Sequence, residues 1–489
     1  MRRSLLTGTI CCLMMAAEAQ TDNFRQAYDA FQQQAETQYE NFRDEANRQY
    51  AEFVKRAWEE YRVLPAIPKP KEKEVPPVVI KEEKRKRQQP IEDKQLPIEQ
   101  TIVPPTPQPQ PAPVAPIREL PQPVAEQWQT FTVYGTEMRV RFGDAERFRL
   151  PQLTEQAVGE AWLRLSGEAY NNLLRDCLTL RMERHLGDWA YLQMLCQMAE
   201  ACLGKGNEAT LLTAYAYCQS GYQMRLGMAN GRLRLLYASE HTIFDKSYFL
   251  QDGTRYYVYG DEAERMQLCA VGYPQERPLS LWITEEQQLA VSKTKLRTLT
   301  AKRYPAVTAT VSVNRNMVDF ADSYPTSCVG DDFMTRWAMY ADTPMEQTIR
   351  NSLYPALRKA IAGLDEREAV ERLLNWVQTA FVYEYDDKVW GGDRAFFADE
   401  TLYYPYCDCE DRSILLSRLV RDLLGLKVVL VYYPGHLATA IRFTETVKGD
   451  YLLVDGDRYT VCDPTYINAS AGMTMPGMDN SQAKVIVLR

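Results

Sequence analysis

The chain lacks a dense set of cysteines, a strong charge of either sign and a second long apolar run. Its 11 cysteines are scattered over 489 residues. That excludes a small disulfide scaffold, in which cross-links stand in for a core. A net charge of −8 argues against nucleic acid as the main partner, so none is expected. Histidine is scarcer still, with 3 in the whole chain. Only MRRSLLTGTICCLMMAAEAQ at the N-terminus is apolar at length, and it is too short to span a bilayer.

That stretch has two arginines, an apolar run and Ala17-Glu18-Ala19. It reads as a secretory signal peptide over residues 1–19, against the bland alternative of a buried helix or anchor. The expectation is an exported protein, periplasmic or secreted, with no transmembrane span after cleavage. Cys11 and Cys12 leave with the signal, and nine cysteines remain of the 11. An odd number leaves at least one thiol free unless chains pair.

A chain of this length exceeds one hydrophobic core, and its composition divides it. Residues 20–63 are read as an amphipathic helix, 64–125 as a Pro-rich linker and 126–260 as an α+β domain. A β-rich connecting region over 261–345 and a final α+β domain over 346–489 complete the division. In the helix, Tyr28, Tyr39, Tyr50 and Tyr61 recur every 11 residues, as do Phe31, Phe42 and Phe53, and Ala35, Ala46 and Ala57. Three helical turns take close to 11 residues, so these series share one face. Residues 27–61 are therefore expected to self-associate or dock on a partner, or more plainly to pack on their own domain. The linker holds more than half of the chain's 27 prolines. It is read as an extended spacer reaching on the order of 150 Å at about 3 Å per residue.

Three late segments carry the chemistry: Asp408-Cys-Glu-Asp-Arg-Ser413, Gly435-His-Leu-Ala-Thr-Ala440 and Val461-Cys-Asp-Pro-Thr-Tyr466. They supply Cys409 at a helix start, His436 opening one strand and Asp463 ending another, at equal intervals of 27 residues. Helix N-terminal N–H groups favour a thiolate, an imidazole can take its proton, and a carboxylate can fix the imidazole's tautomer. This order and setting resemble the transglutaminase-like superfamily of the papain-like cysteine fold, over residues 346–489. The resemblance implies a Cys-bearing helix against an antiparallel sheet and attack on an amide carbonyl of a protein or peptide. It further implies a thioester released to water or to an amine, with no cofactor or metal. The oxyanion would be held by the Cys409 N–H and one further donor, with Tyr404, Tyr406 and Trp390 as candidates.

Each residue alone has a blander reading, since free cysteines are usually buried and inert and strand histidines usually structural. A zinc site from Cys407, Cys409, His436 and Cys462 is a rival, although C-x-C is tighter than usual and Cys462 should face away from Asp463. A Cys407–Cys462 disulfide is compatible with a free Cys409. Glu410 and Asp411 suit a first helical turn but would raise the thiol's pKa if aimed at it, so they are expected to point away.

A shift of 204 residues brings out a fainter echo. G231-x-L233 lies over G435-x-L437, and with a one-residue slip DGTRYYVYG at 252–260 lies over DGDRYTVCD at 455–463. The triad positions then hold Lys205 or Asn207, Arg232 and Gly260, none of which could do the chemistry. The region is either a chance likeness or a degenerate copy of the transglutaminase-like fold. Two functions stand: an exported cysteine-dependent hydrolase or acyltransferase, or a non-catalytic envelope scaffold keeping the same fold.

Overall fold

The computed structural model describes residues 37–80, 92–121, 127–260 and 265–489. The chain folds as a mixture of helix and sheet, an α+β protein. No helix among the described residues is long and apolar enough to cross a membrane.

A helix over 37–54 leads into β1 (Glu59–Arg62), and β2 (Lys94–Gln95) and β3 (Gln100–Ile102) follow. β4 (Trp128–Val133) and β5 (Thr136–Arg141) form a hairpin around Tyr134-Gly135. Both turn residues have positive φ, 44° and 64°, as the tight turn between twisted strands requires. Four helices come next: Glu155–Leu165, Asn171–Glu183, Asp188–Leu203 and Asn207–Gln219. The last two are apolar on nearly every side, so both are buried. Then come β6 (Met224–Ala229), β7 (Arg232–Ser239), β8 (His241–Ile243), β9 (Tyr248–Gln251), β10 (Thr254–Val258) and β11 (Arg265–Cys269).

The middle holds β12 (Arg297–Thr300), β13 (Thr308–Val311), a helix Arg315–Ser323, β14 (Ser327–Val329) and a helix Thr335–Asp342. Helices Gln347–Ile361 and Glu366–Ala380 lead to β15 (Val382–Tyr383), two short helices and β16 (Tyr406–Cys407). The helix Cys409–Leu424 then precedes β17 (Lys427–Tyr433), β18 (His436–Arg442), β19 (Asp450–Val454), β20 (Asp457–Cys462) and β21 (Lys484–Val487).

The two large sheets share one plan. The first runs β1-β11-β6-β7-β10-β9 and the second β2-β19-β20-β18-β17-β21-β3. Reversing the second gives β3-β21-β17-β18-β20-β19-β2, so β6, β7, β9, β10 and β11 take the places of β17 to β21. The five equivalent strands are antiparallel in both. A helix precedes each set, Asn207–Gln219 in one and Cys409–Leu424 in the other, and lies on its central strand, β7 or β18. The last hairpin turns through Asp252-Gly253 with φ of 50° and 80°, and through Asp455-Gly456 with φ of 51° and 83°.

Several expectations need correction. The first unit does not stop at 260, because β11 is its fifth strand. The connecting region is not separate either: β12 and β13 bury Leu299, Ala309 and Val311 in the same core as the helices that follow. Within that region, residues 279–283 form only an isolated bridge, Ser239 with Leu279. The helix ends at 54, and Tyr61 lies in a strand. Its apolar stripe divides: Tyr39 and Phe42 are 51% and 44% exposed, whereas Ala46, Tyr50 and Val54 are buried. Tyr50 packs on Trp162, and Asn47 accepts from Trp162 Nε1 at 3.1 Å, so this end docks on its own domain. Residues 27–36 of the repeat lie outside the described residues.

The largest correction concerns the spacer. The described residues of 64–125 run along the folded body rather than away from it. β2 adds to β19 and β3 to β21. The N–H groups of Leu64, Val75, Ile80 and Leu96 donate to Tyr248, Gly435, Ile467 and Tyr451. Sheet edges carry unpaired backbone groups, and the non-proline residues between the prolines satisfy them.

Candidate functional site

The site lies where the second helix meets its sheet. Asp408 caps that helix, accepting from the N–H of Glu410 at 3.0 Å and of Asp411 at 3.3 Å. Asp411 returns the bond to the Asp408 N–H at 3.1 Å and also accepts from the Phe396 N–H at 2.9 Å. This is a closed capping box, and it fixes Cys409 as the first helical residue. Ser413, one turn on, donates to the Leu437 carbonyl at 2.9 Å and locks the helix start onto β18.

His436 opens β18 opposite Tyr433, whose ring lies 6.3 Å away and nearly parallel. Its Nε2 bonds Asp463 Oδ2 at 2.9 Å, with both residues 1% exposed. Asp463 is itself held: Oδ1 accepts from the N–H of Thr465 at 2.8 Å and of Tyr466 at 3.2 Å. Gln378 donates to the carbonyls of Asp463, Tyr466 and Ala469, pinning that loop. A carboxylate at Nε2 favours the tautomer with its proton there, which leaves Nδ1 as the acceptor. His436 Nδ1 is buried and has no partner. Cys409 and His436 line the same cavity, of about 590 Å³.

The surroundings are acidic. Glu410 pairs with Arg336 at 2.9 Å and accepts from Trp337 Nε1, and Arg336 also grips Asp393. Glu410 therefore points to Arg336 and Asp411 into the cap. Arg412 reaches the carbonyls of Gln378 and Phe381, both at 3.2 Å, and is a structural contact. Even so, the thiol feels these charges. Burial pushes Cys409 well above the ordinary thiol value, and Asp408 and Glu410 push the same way. The Leu437 N–H pulls it back. Burial also raises Glu74 to about 7, helped by the Asp386 charge.

Two groups of three carboxylates could hold a cation. They are Glu74, Asp386 and Asp408, and Asp386, Asp393 and Glu410, each with oxygens within 4.8 Å of one another. Such an all-oxygen set suits a hard cation, although Arg336 already neutralises part of the second. The rival zinc ligands are not gathered: no such group among the described residues includes a cysteine. Cys407 contacts Arg412 Nε at 3.5 Å, and Cys407 and Cys462 are both free, buried thiols.

The oxyanion candidates are a correction. None of Trp390, Tyr404 and Tyr406 lines the Cys409 cavity. Trp390 and Tyr404 cluster with Phe396 around Arg394, and Tyr404 donates to Asp322 at 2.7 Å. Tyr406 is largely exposed on β16. Sequence reading passed over Tyr383, the partner of Cys407 in the β15–β16 pair. Its hydroxyl is buried without a partner, and burial and the charges of Cys409 and Asp408 raise its pKa. Only its place in an aromatic run after a helix could have drawn attention to it.

The first unit repeats the scaffold without these groups. Asn207 is the first residue of its helix, and its Oδ1 accepts from the Leu233 N–H at 2.9 Å. Leu233 holds the place of Leu437. Arg232 opens β7 and Gly260 follows β10, both exposed. Compared with known proteins, the chain matches no family model, no curated protein and no solved structure.

Proposed function

We propose that the chain is an exported cysteine-dependent acyl-transfer enzyme of transglutaminase-like type, a hydrolase or acyltransferase acting on amide bonds of proteins or peptides. The observation that carries this reading is His436: buried, bonded to Asp463 through Nε2, with Nδ1 unpartnered in the cavity that Cys409 lines. In the reaction the Cys409 proton passes to Nδ1 and the thiolate adds to the amide carbonyl. The Cys409 N–H stabilises the oxyanion. Collapse breaks the C–N bond, and His436 returns the proton to the leaving amine. Water then hydrolyses the thioester, or an amine captures it to form a new amide.

The shared strand order supports an internal duplication in which residues 188–269 kept the scaffold and lost the chemistry. The scaffold reading draws on a different observation, the raised pKa of Cys409, since a protonated thiol is a poor nucleophile. Site-specific alkylation separates the two. The enzyme reading expects Cys409 to react faster than free cysteine at neutral pH once the cavity is open, and to lose that advantage in His436→Ala. Equal reactivity with and without the imidazole favours the scaffold.

A further inference from the structure

Residues 68–74 form part of the lining of the cavity, together with Cys409 and His436. Pro68 and Pro70 hold this segment extended, since proline fixes φ and offers no donor. It is tethered along its length. Asp245 N–H donates to the Ile67 carbonyl at 2.9 Å, and Lys69 reaches Asp393. Tyr432 Oη donates to Glu72 at 2.9 Å, and the Asp386 N–H to Glu74 at 3.4 Å. Val75 N–H donates to the Gly435 carbonyl at 3.1 Å, beside His436. The Lys73 carbonyl passes so close to Gly435 that a Cβ there would collide with it. With φ of 79°, Gly435 has two reasons to be glycine.

The ends are anchored on opposite units. Leu64 bridges Tyr248 of β9, and Val79 bridges Ile467 beyond β20. Val75, Val78 and Ile80 pack on Tyr466, Ala469 and Met475. The charges fit as well. Lys69 brings a cation to a wall that carries Asp245, Asp387, Asp393, Asp408 and Glu410. Beneath the segment Cys409 is 6% exposed and His436 1%.

The geometry points to Ile67–Val75 as a built-in occupant of the substrate path, so that the intact chain is self-inhibited and displacement of this segment is the activating step. This rests on the acyl-transfer reading of Cys409 and His436. An extended segment bonded to the backbone beside the general base lies where a peptide substrate would have to lie. A cis-acting occupant needs little intrinsic affinity, because tethering gives it an effective concentration in the millimolar range.

The test is alkylation of Cys409 in the full-length chain by a small thiol reagent, read by peptide mass mapping. It compares the native chain with one whose residues 68–74 are replaced by a Gly-Ser segment of equal length. A second variant, Lys69→Glu with Glu72→Ala, loosens the segment and leaves the cavity residues outside it unchanged. The replacement is expected to speed labelling at Cys409 about 10-fold or more, as for a site open in a tenth of molecules or fewer. The double variant should give a smaller increase. Selectivity guards against unfolding, which would label the other buried thiols together with Cys409. Equal Cys409 rates in the native and replaced chains overturn the proposal. Faster labelling that never exceeds free cysteine at neutral pH upholds the occlusion while sinking the catalytic reading beneath it.

Discussion

Two units of this molecule have the same five-strand order and the same helix laid on the central strand, and they differ at three corners. One offers Asn207, Arg232 and Gly260, the other Cys409, His436 and Asp463. Asn207 Oδ1 accepts from the Leu233 N–H, and the Leu437 N–H at the matching position lowers the Cys409 pKa. The scaffold therefore poses a group at a helix start whether or not chemistry follows. What distinguishes the second unit is a buried imidazole held by a carboxylate, Asp463, and lining the same cavity as Cys409; the buried His241 of the first unit instead accepts at Nε2 from the Leu281 N–H. In the proposed reading the fold places the nucleophile, and the two later corners would activate it.

The largest expected effect tests that distinction. In the chain with residues 68–74 replaced, His436→Ala should slow Cys409 alkylation at pH 7 by about 10²-fold or more, on the scale of general-base assistance. Arg232→Ala in the first unit should leave the rate unchanged. A comparable loss from Arg232→Ala would break the comparison.

Next comes stability. Arg336 lies 1% exposed between Asp393 and Glu410. Arg336→Met takes the shared cation from two carboxylates, leaving Asp393 with Lys69 alone, at a cost of roughly 3–5 kcal/mol in chemical denaturation. A pair packed on the first unit, Arg225 with Glu276, is a single buried ion pair at 2.7 Å. Arg225→Met should cost less, because only one carboxylate loses its partner.

A smaller effect follows from Glu74, whose carboxyl sits in the docked segment beside Asp386. Its pKa is raised from 4.5 to about 7 by burial and then by the Asp386 charge. A carboxyl raised on docking favours the docked state while protonated, and that advantage fades as pH rises from about 4.5 to about 7. The ratio of Cys409 labelling in the native chain to that in the replaced chain should therefore climb a few-fold across this window. Taking the ratio cancels ionisation of the thiol itself. In Glu74→Gln the ratio should stay flat, and a slope that persists would assign the pH dependence elsewhere.

The candidate triad was legible because each member sits at a local signal: a capping box at 408–411, a tight turn at 434–435, and a strand end before Asp463-Pro464. The paired-unit topology was legible only as an echo, since strand order is a long-range property. The course of 64–80 was not legible. Its prolines read as a spacer, and its partners Tyr248, Asp393, Tyr432 and Gly435 lie far along the chain. The oxyanion candidates failed for a similar reason, as Trp390 and Tyr404 are gathered by Arg394 into a separate cluster. The 11-residue repeat was half legible. Its period is real, but only contact with Trp162 decides which end is buried.

The sharpest comparison places a thiol in the corner that lacks the chemistry. Asn207→Cys puts a sulfur at a helix start beside the Leu233 N–H, with Arg232 and Gly260 in place of base and orienter. Helix N–H groups and dipole then act alone, and their contribution is about 0.3–1 kcal/mol in ordinary settings. Conversion at 1.4 kcal/mol per tenfold gives a change of about 2- to 5-fold over free cysteine at pH 7. Cys409 in the opened chain, with the same helix start and an imidazole, should exceed this by a wide margin. Alkylation of the introduced thiol and of Cys409 within one such molecule, mapped peptide by peptide, measures that margin directly. Rates alike at the two sites would mean that the helix start, and not His436 with Asp463, governs the thiol.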